Sequence, residues 1–259
     1  MNEVPYFKTT NAEMYYEKKG VGPVLLFIPP PGLGAAVFEQ QSELEKDFSV
    51  VTFDPRGNGK SESGDNQTLT MENWAEDIRD LIDHLDEKVI LCGYSLGGTP
   101  AQITALQYPE KVKALLLVNA FPVVNTFFLS VKFKLGIWSA SGGLLGLIGN
   151  GLSFTHTKKK EQQRKISANI KNSNSTLLKQ MYKSGKMYDA REQLKYLTCP
   201  AFVLYGSADV LTLKYVKGFQ KRIPDLAVTR IKGGAHQLPT KHAGEVNGAI
   251  RQIKGRLQS

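Results

Sequence analysis

Five short apolar runs punctuate the first half of the chain: Met14-Tyr15-Tyr16-Glu17, Val24-Leu25-Leu26-Phe27-Ile28, Ser49-Val50-Val51-Thr52-Phe53, Val89-Ile90-Leu91-Cys92 and Ala114-Leu115-Leu116-Leu117-Val118. Runs of this length, rich in β-branched and aromatic residues, predict strands. The continuously apolar ones fit strands buried on both faces of a parallel sheet. Between them lie helix-compatible stretches. Thr70 caps one in which Trp74, Ile78, Leu81, Ile82 and Leu85 recur at helical spacing, and another follows Ser95 to about Tyr108. After Val118 the alternation stops. It resumes with Pro200-Ala201-Phe202-Val203-Leu204-Tyr205 and Ala227-Val228-Thr229-Arg230-Ile231, and a last helix is predicted from His242 to Arg256.

Repeated β-α units predict an α/β fold: a mostly parallel twisted sheet with helices on both faces. Residues 1–120 and 194–259 form the predicted core, and residues 121–193 read as a helical cap inserted over the strands' C-terminal edge, where open α/β sheets place ligands. A chain of 259 residues suits this plan, with 41% hydrophobic and 22% charged residues.

Charge changes the picture only once it is located. The formal net charge is +9, yet residues 121–195 hold 13 Lys or Arg against 3 Asp or Glu, leaving 20 against 21 elsewhere. Basicity belongs to one segment, so nucleic-acid binding is not expected of the chain. Two cysteines, Cys92 and Cys199, do not make a disulfide framework and read as buried thiols. The start Met1-Asn2-Glu3-Val4-Pro5 has neither a basic region nor an apolar stretch, so no secretory signal is expected and the cytoplasm is the expected location.

The chemistry concentrates at Gly93-Tyr94-Ser95-Leu96-Gly97, between a predicted strand and a predicted helix. A serine at the apex of such a turn is a nucleophile elbow: strained backbone projects the hydroxyl, and flanking glycines remove the clashes. The hydroxyl needs a base. Of four histidines, His236 lies just past the last predicted strand, on the same sheet edge as Ser95. His84 sits in an amphipathic helix, His156 beside the lysine run, and His242 at the start of the last helix. Asp209, a few residues beyond the Pro200–Tyr205 run, is the expected acid, giving the chain order Ser95, Asp209, His236. A variant arrangement puts the acid after the Ala114–Val118 strand, where this chain has Asn119; Asp225 is the alternative acid but reads as a turn residue after Pro224. For the oxyanion hole, the backbone N–H of Leu96 is one expected donor. Pro29, Pro30 and Pro31 have no N–H, so the second is expected from Leu33.

These residues together resemble the α/β-hydrolase superfamily, over nearly the whole chain. Asp54-Pro55-Arg56-Gly57-Asn58-Gly59-Lys60-Ser61 also looks like that family's D-x-R-G-x-G-x-S turn, which braces the core. Where the family usually has His-Gly at the oxyanion loop, this chain has Pro31-Gly32. It lacks the H-G-G-P-G pattern of proline iminopeptidases, and serine at the elbow differs from the aspartate of haloalkane dehalogenases. The resemblance implies acyl transfer to water: a serine esterase with a Ser95, His236, Asp209 triad and an acyl-enzyme. Thioester, lactone or carbon–carbon hydrolysis, perhydrolysis, or a slow-turnover ligand sensor would use the same residues. No metal or organic cofactor is expected; Asp54, Asp65, Asp77 and His84 show no ligand spacing.

The predicted cap has two halves. Residues 121–154 carry Phe121, Phe127, Phe128, Phe133, Trp138, Ile148 and Phe154 with only Lys132 and Lys134 charged, and residues 157–195 are lysine-rich from Lys158 onward. The apolar half predicts a greasy pocket and an apolar ester substrate. Interrupting lysines and repeated glycines argue against a membrane span. The basic half reads as a solvated helix face, with docking on an anionic surface as its alternative.

Overall fold

The computed structural model describes residues 5–65 and 68–257, apart from the side chain of Ile148; residues 1–4, at the chain start discussed above, lie outside the described residues. Eight strands form one sheet: β1 (Tyr6–Lys8), β2 (Glu13–Lys19), β3 (Val24–Ile28), β4 (Ser49–Phe53), β5 (Val89–Tyr94), β6 (Val112–Val118), β7 (Ala201–Gly206) and β8 (Leu226–Ile231). Their order is β1-β2-β4-β3-β5-β6-β7-β8. Pairing is antiparallel for β1 with β2 and β2 with β4, and parallel from there to β8. The central strands β3 and β5 are buried along their full length, as their unbroken apolar runs require.

Helices cover both faces. They are α1 (Met71–Leu85), α2 (Gly98–Gln107), α3 (Phe127–Ser141), α4 (Leu145–His156), α5 (Lys160–Lys171), α6 (Ser175–Met187), α7 (Val216–Arg222), α8 (Leu238–Lys241) and α9 (Ala243–Arg256). The Thr70 hydroxyl accepts the Asn73 amide at 3.2 Å and caps α1, whose Trp74, Ile78, Leu81, Ile82 and Leu85 are buried. One apolar cluster packs α1 and α2 on one face of the sheet; a second packs α9 and the 3₁₀ segment Ala35–Lys46 on the other.

The segment between β6 and β7, which breaks the sequence alternation, contains four helices, α3 to α6. α6 lies against the β5–α2 turn: a Cβ on Gly185 would fall 2.6 Å from Leu96 Cδ1. Its apolar residues divide differently from the expected greasy lining. Phe121, Leu129 and Phe133 are buried, whereas Phe127, Phe128, Trp138, Leu147 and Phe154 are exposed. Ile148 has no described side chain. Lys158, Lys159 and Lys160 are exposed, as a solvated face requires. Among the described residues, no helix is long and apolar enough to cross a membrane.

The turn after β4 ties the layers together. Asp54 accepts the amides of Ala35 and Lys60 at 3.0 Å and the Asn169 side chain of α5 at 2.9 Å. Arg56 forks onto Asp77 of α1, with Nε 3.1 Å from Oδ2 and Nη2 bonded to Oδ1. Both partners are buried. Removing one partner of such a pair leaves an uncompensated charge in the interior, at a cost of about 3–5 kcal/mol. Arg56→Met is therefore expected to lower unfolding free energy by about that amount in urea denaturation; a loss below about 1 kcal/mol, the range of surface pairs, would show that the bridge does not brace the core.

Candidate active site

Ser95 occupies the turn between β5 and α2, with φ of 53°. That left-handed angle is unusual for a residue with a side chain and is held by tight packing around the turn. A Cβ on Gly93 would fall 2.6 Å from Gly98 Cα, and one on Gly97 would fall 2.3 Å from the Ile28 carbonyl oxygen. Glycine at both positions is what lets strand, turn and helix close so sharply. The result lifts the Ser95 hydroxyl to the C-terminal edge of the sheet, where the loops after β7 and β8 also end.

Those loops bring in the other two predicted residues. Ser95 Oγ lies 2.8 Å from His236 Nε2, and His236 Nδ1 lies 2.8 Å from Asp209 Oδ2. All three are buried. Asp209 Oδ2 also accepts the Thr212 hydroxyl, and Oδ1 accepts the Leu211 amide at 3.0 Å. Burial pushes the Asp209 carboxyl up, but the His236 bond and charge, with the Thr212 and Leu211 bonds, outweigh it and hold the pKa below the usual value. Burial lowers the His236 pKa, the positive charge of Lys132 lowers it further, and Asp209 opposes both without restoring it. A neutral imidazole between a hydroxyl and a carboxylate is a proton acceptor for the former, held in one tautomer by the latter.

The remaining candidates lie in other settings. His84 pairs with the Tyr16 hydroxyl at 3.0 Å, and His242 with Glu245 at 3.1 Å. His156 is buried, with Nδ1 2.9 Å from the Leu152 carbonyl oxygen. Asp225 forms an exposed pair with Arg256 at 3.3 Å. The Leu33 amide faces the Pro30 carbonyl at 3.3 Å, and the preceding Gly32 amide donates to Asn58 Oδ1 at 2.6 Å. The D-x-R-G-x-G-x-S turn thus reaches the proline loop through Asn58.

Sequence reasoning noted Asn119 only as the absence of an acid. In the structure it is a hub. Its φ is 44°, its side-chain amide donates to the carbonyls of Ala235 at 3.0 Å and His236 at 2.9 Å, and its side-chain oxygen accepts the Gly206 amide at 2.9 Å. The Tyr94 hydroxyl donates to the same His236 carbonyl at 3.0 Å. An asparagine directly after a buried strand was the available signal, because asparagine tolerates left-handed backbone. Among the described residues, no group of three or more His, Cys, Asp or Glu side chains is placed to hold a metal ion. A groove of about 520 Å³ beside the Asp54 turn, lined by Tyr15, Lys60 and Asn169 among others, contains none of Ser95, Asp209 and His236.

Comparison with known proteins agrees with this architecture. The family model of the alpha/beta hydrolase fold matches residues 23–141. A protein of Azorhizobium caulinodans named as the carbamate hydrolase RutD is 25% identical over 246 residues, covering 90% of this chain and 91% of its own. The 3-oxoadipate enol-lactonase 1 of Acinetobacter baylyi is 26% identical over 207 residues, 73% of each chain. Among solved structures, a thermophilic esterase from Thermogutta terrifontis superposes with a TM-score of 0.84 at 22% identity, covering 98% of both chains, a likeness of fold. With the sheet order, the model matching residues 23–141 and these relatives together, the chain has the alpha/beta hydrolase fold and is similar to hydrolases over most of its length.

Proposed function

We propose that this hydrolase cleaves a carboxylic ester through an acyl-enzyme on Ser95, with His236 as general base and Asp209 as its orienting carboxylate. What supports this most is the unbroken pair of 2.8 Å contacts, Ser95 Oγ to His236 Nε2 and His236 Nδ1 to Asp209 Oδ2, at a strained, buried serine. His236 takes the Ser95 proton as Oγ attacks the carbonyl carbon. The tetrahedral oxyanion is received by the Leu96 amide in the turn that leads into α2. The Leu33 amide is the second donor and exchanges its 3.3 Å contact with Pro30, long for a hydrogen bond, to serve. His236 then protonates the leaving alcohol. Water, deprotonated by the same imidazole, attacks the acyl carbon and releases the acid.

Residues 121–193 act in this proposal as a cap, because α6 packs on Leu96 beside the nucleophile. The esterase named above shares the fold alone; the choice of an ester rests on the Ser95 arrangement, and the enol-lactonase relative acts by its name on a cyclic ester.

Ser95→Ala is expected to lower kcat on an activated ester by roughly four to six decades while leaving the unfolding midpoint close to wild type. Steady-state kinetics with fluorophosphonate labelling checks the first and urea denaturation the second, and turnover within tenfold of wild type in the alanine variant would remove Ser95 as nucleophile. Catalysis also requires neutral His236, whose pKa lies below the ordinary imidazole value of 6.5. The sign follows: kcat/KM on an uncharged ester is expected to hold steady through pH 7 and to fall only as pH drops through a midpoint below 6.5. An acid limb centred above 7 would contradict a desolvated base beside a cation.

A further inference from the structure

Helix α3 is apolar on two sides. Its inner side buries Leu129, Phe133 and Ala140, and Phe133 packs edge-on against Tyr182 of α6. Its outer side is open to solvent: Phe127 is 76% exposed, Phe128 59%, Leu135 57% and Trp138 63%, with Val131 among them. At about 100° per residue these five side chains fall within roughly 100° of arc, nearly opposite the buried set. A surface helix ordinarily turns polar residues outward, and one that is apolar all round belongs in a core or against lipid. After a short turn, α4 exposes Leu147 and Phe154, which lie about 20° apart around its axis.

The charge beside this face has one sign. Residues 121–160 contain Lys132, Lys134, Lys158, Lys159 and Lys160 and no Asp or Glu. Lys134 lies on α3 about 20° beyond the Phe127 edge of the exposed arc. Lys158 follows Phe154 by four residues, at most about 14 Å of extended chain. Lys134, Lys158, Lys159 and Lys160 are exposed, and among the described residues none of them forms an ion pair. Exposure of the lysines alone suits a solvated face and a docking face equally. The aromatic side chains beside them decide between the two, because exposed apolar surface rimmed by charge marks an interaction site.

Both ends of the α3–α4 pair are tied to the loops that carry Asp209 and His236. The Asn125 amide, two residues before α3, donates to the Tyr215 hydroxyl at 3.3 Å, and the Tyr215 amide donates to the carbonyl of Thr212, whose hydroxyl bonds Asp209. At the end of α4 the Thr240 hydroxyl donates to the His156 carbonyl at 2.6 Å. The outer face is thus presented from an anchored pair of helices.

We propose that this outer face docks on an anionic lipid surface, its aromatic side chains at the boundary of headgroups and acyl chains and its lysines on the lipid phosphates. Such a surface supplies both things the face lacks: hydrocarbon for Phe127, Phe128 and Trp138, and negative charge for the lysines. A second copy of the chain supplies only the first, since a twofold contact would set the same lysines against one another. The docking is peripheral, because no helix among the described residues is long and apolar enough to cross a membrane. It is independent of the Ser95 chemistry.

Trp138 reports on the docking directly. The chain has two tryptophans, and Trp74 is fully buried, so a blue shift of emission on adding vesicles comes from Trp138. The wild-type protein is expected to shift and to co-sediment with phosphatidylcholine vesicles holding roughly one-third phosphatidylglycerol, and to bind phosphatidylcholine alone at least about tenfold more weakly. Salt at about 0.5 M should weaken the binding. Two variants that change only exposed side chains locate the face: Phe127→Ser with Phe128→Ser, and Lys158→Glu with Lys159→Glu and Lys160→Glu. Each is expected to weaken partitioning roughly tenfold or more and to leave the urea midpoint unchanged. Absence of co-sedimentation at low salt would overturn the proposal, and so would partitioning unchanged within about twofold in either variant. Sedimentation velocity without lipid examines the rival occupant: a dimer that the Phe127→Ser, Phe128→Ser variant abolishes would assign the face to a second copy instead.

Discussion

The side chain of Asn119 joins three elements that have no other reason to meet at one point. It leaves β6 in a left-handed turn, holds the first amide beyond the β7 apolar run through its oxygen, and spends both amide protons on the two carbonyls flanking the His236 peptide. Each neutral bond of this kind contributes only about 0.5–1.5 kcal/mol net, but a buried carbonyl left without a partner costs about 1–3. The loop bearing His236 is therefore fixed less by attraction than by the penalty for moving. With Tyr94 donating to the same carbonyl, the imidazole is anchored from the strand that carries the serine.

Much of this was readable in the residues. The strands β3 to β8 are apolar runs bounded by polar turns, and the placement of Ser95, Asp209 and His236 at strand ends followed from that pattern. The three fell within hydrogen-bonding distance of one another. Other parts lacked a signal. β1 is three residues long and too short for alternation to register. Helix α3 is apolar around most of its circumference, so its period is masked. Nor did composition reveal which aromatic residues of the insertion turn inward: Phe133 packs edge-on against Phe121 and Tyr182, while Phe127 and Phe128, earlier on the same helix, face outward.

The Asp54–Ser61 turn makes a related point about economy of means. Asp54 bonds the chain at Ala35, Lys60 and Asn169, Arg56 grips α1, and Asn58 holds the Gly32 amide. One short loop thus fixes the proline segment against both the sheet and the insertion. Three prolines in a row remove donors that would otherwise need partners in that buried loop, which is why a single asparagine suffices to position it.

The insertion is stitched at its entrance to the loop that carries Asp209 and, through His156 and Thr240, to the stretch that follows His236. Helices that part to admit a bulky guest would tug on both seams at once. Under the proposed cap and triad, fit and reactivity are mechanically joined: a poorly shaped molecule is penalised in how fast it reacts as much as in how tightly it is held, and discrimination is written into turnover.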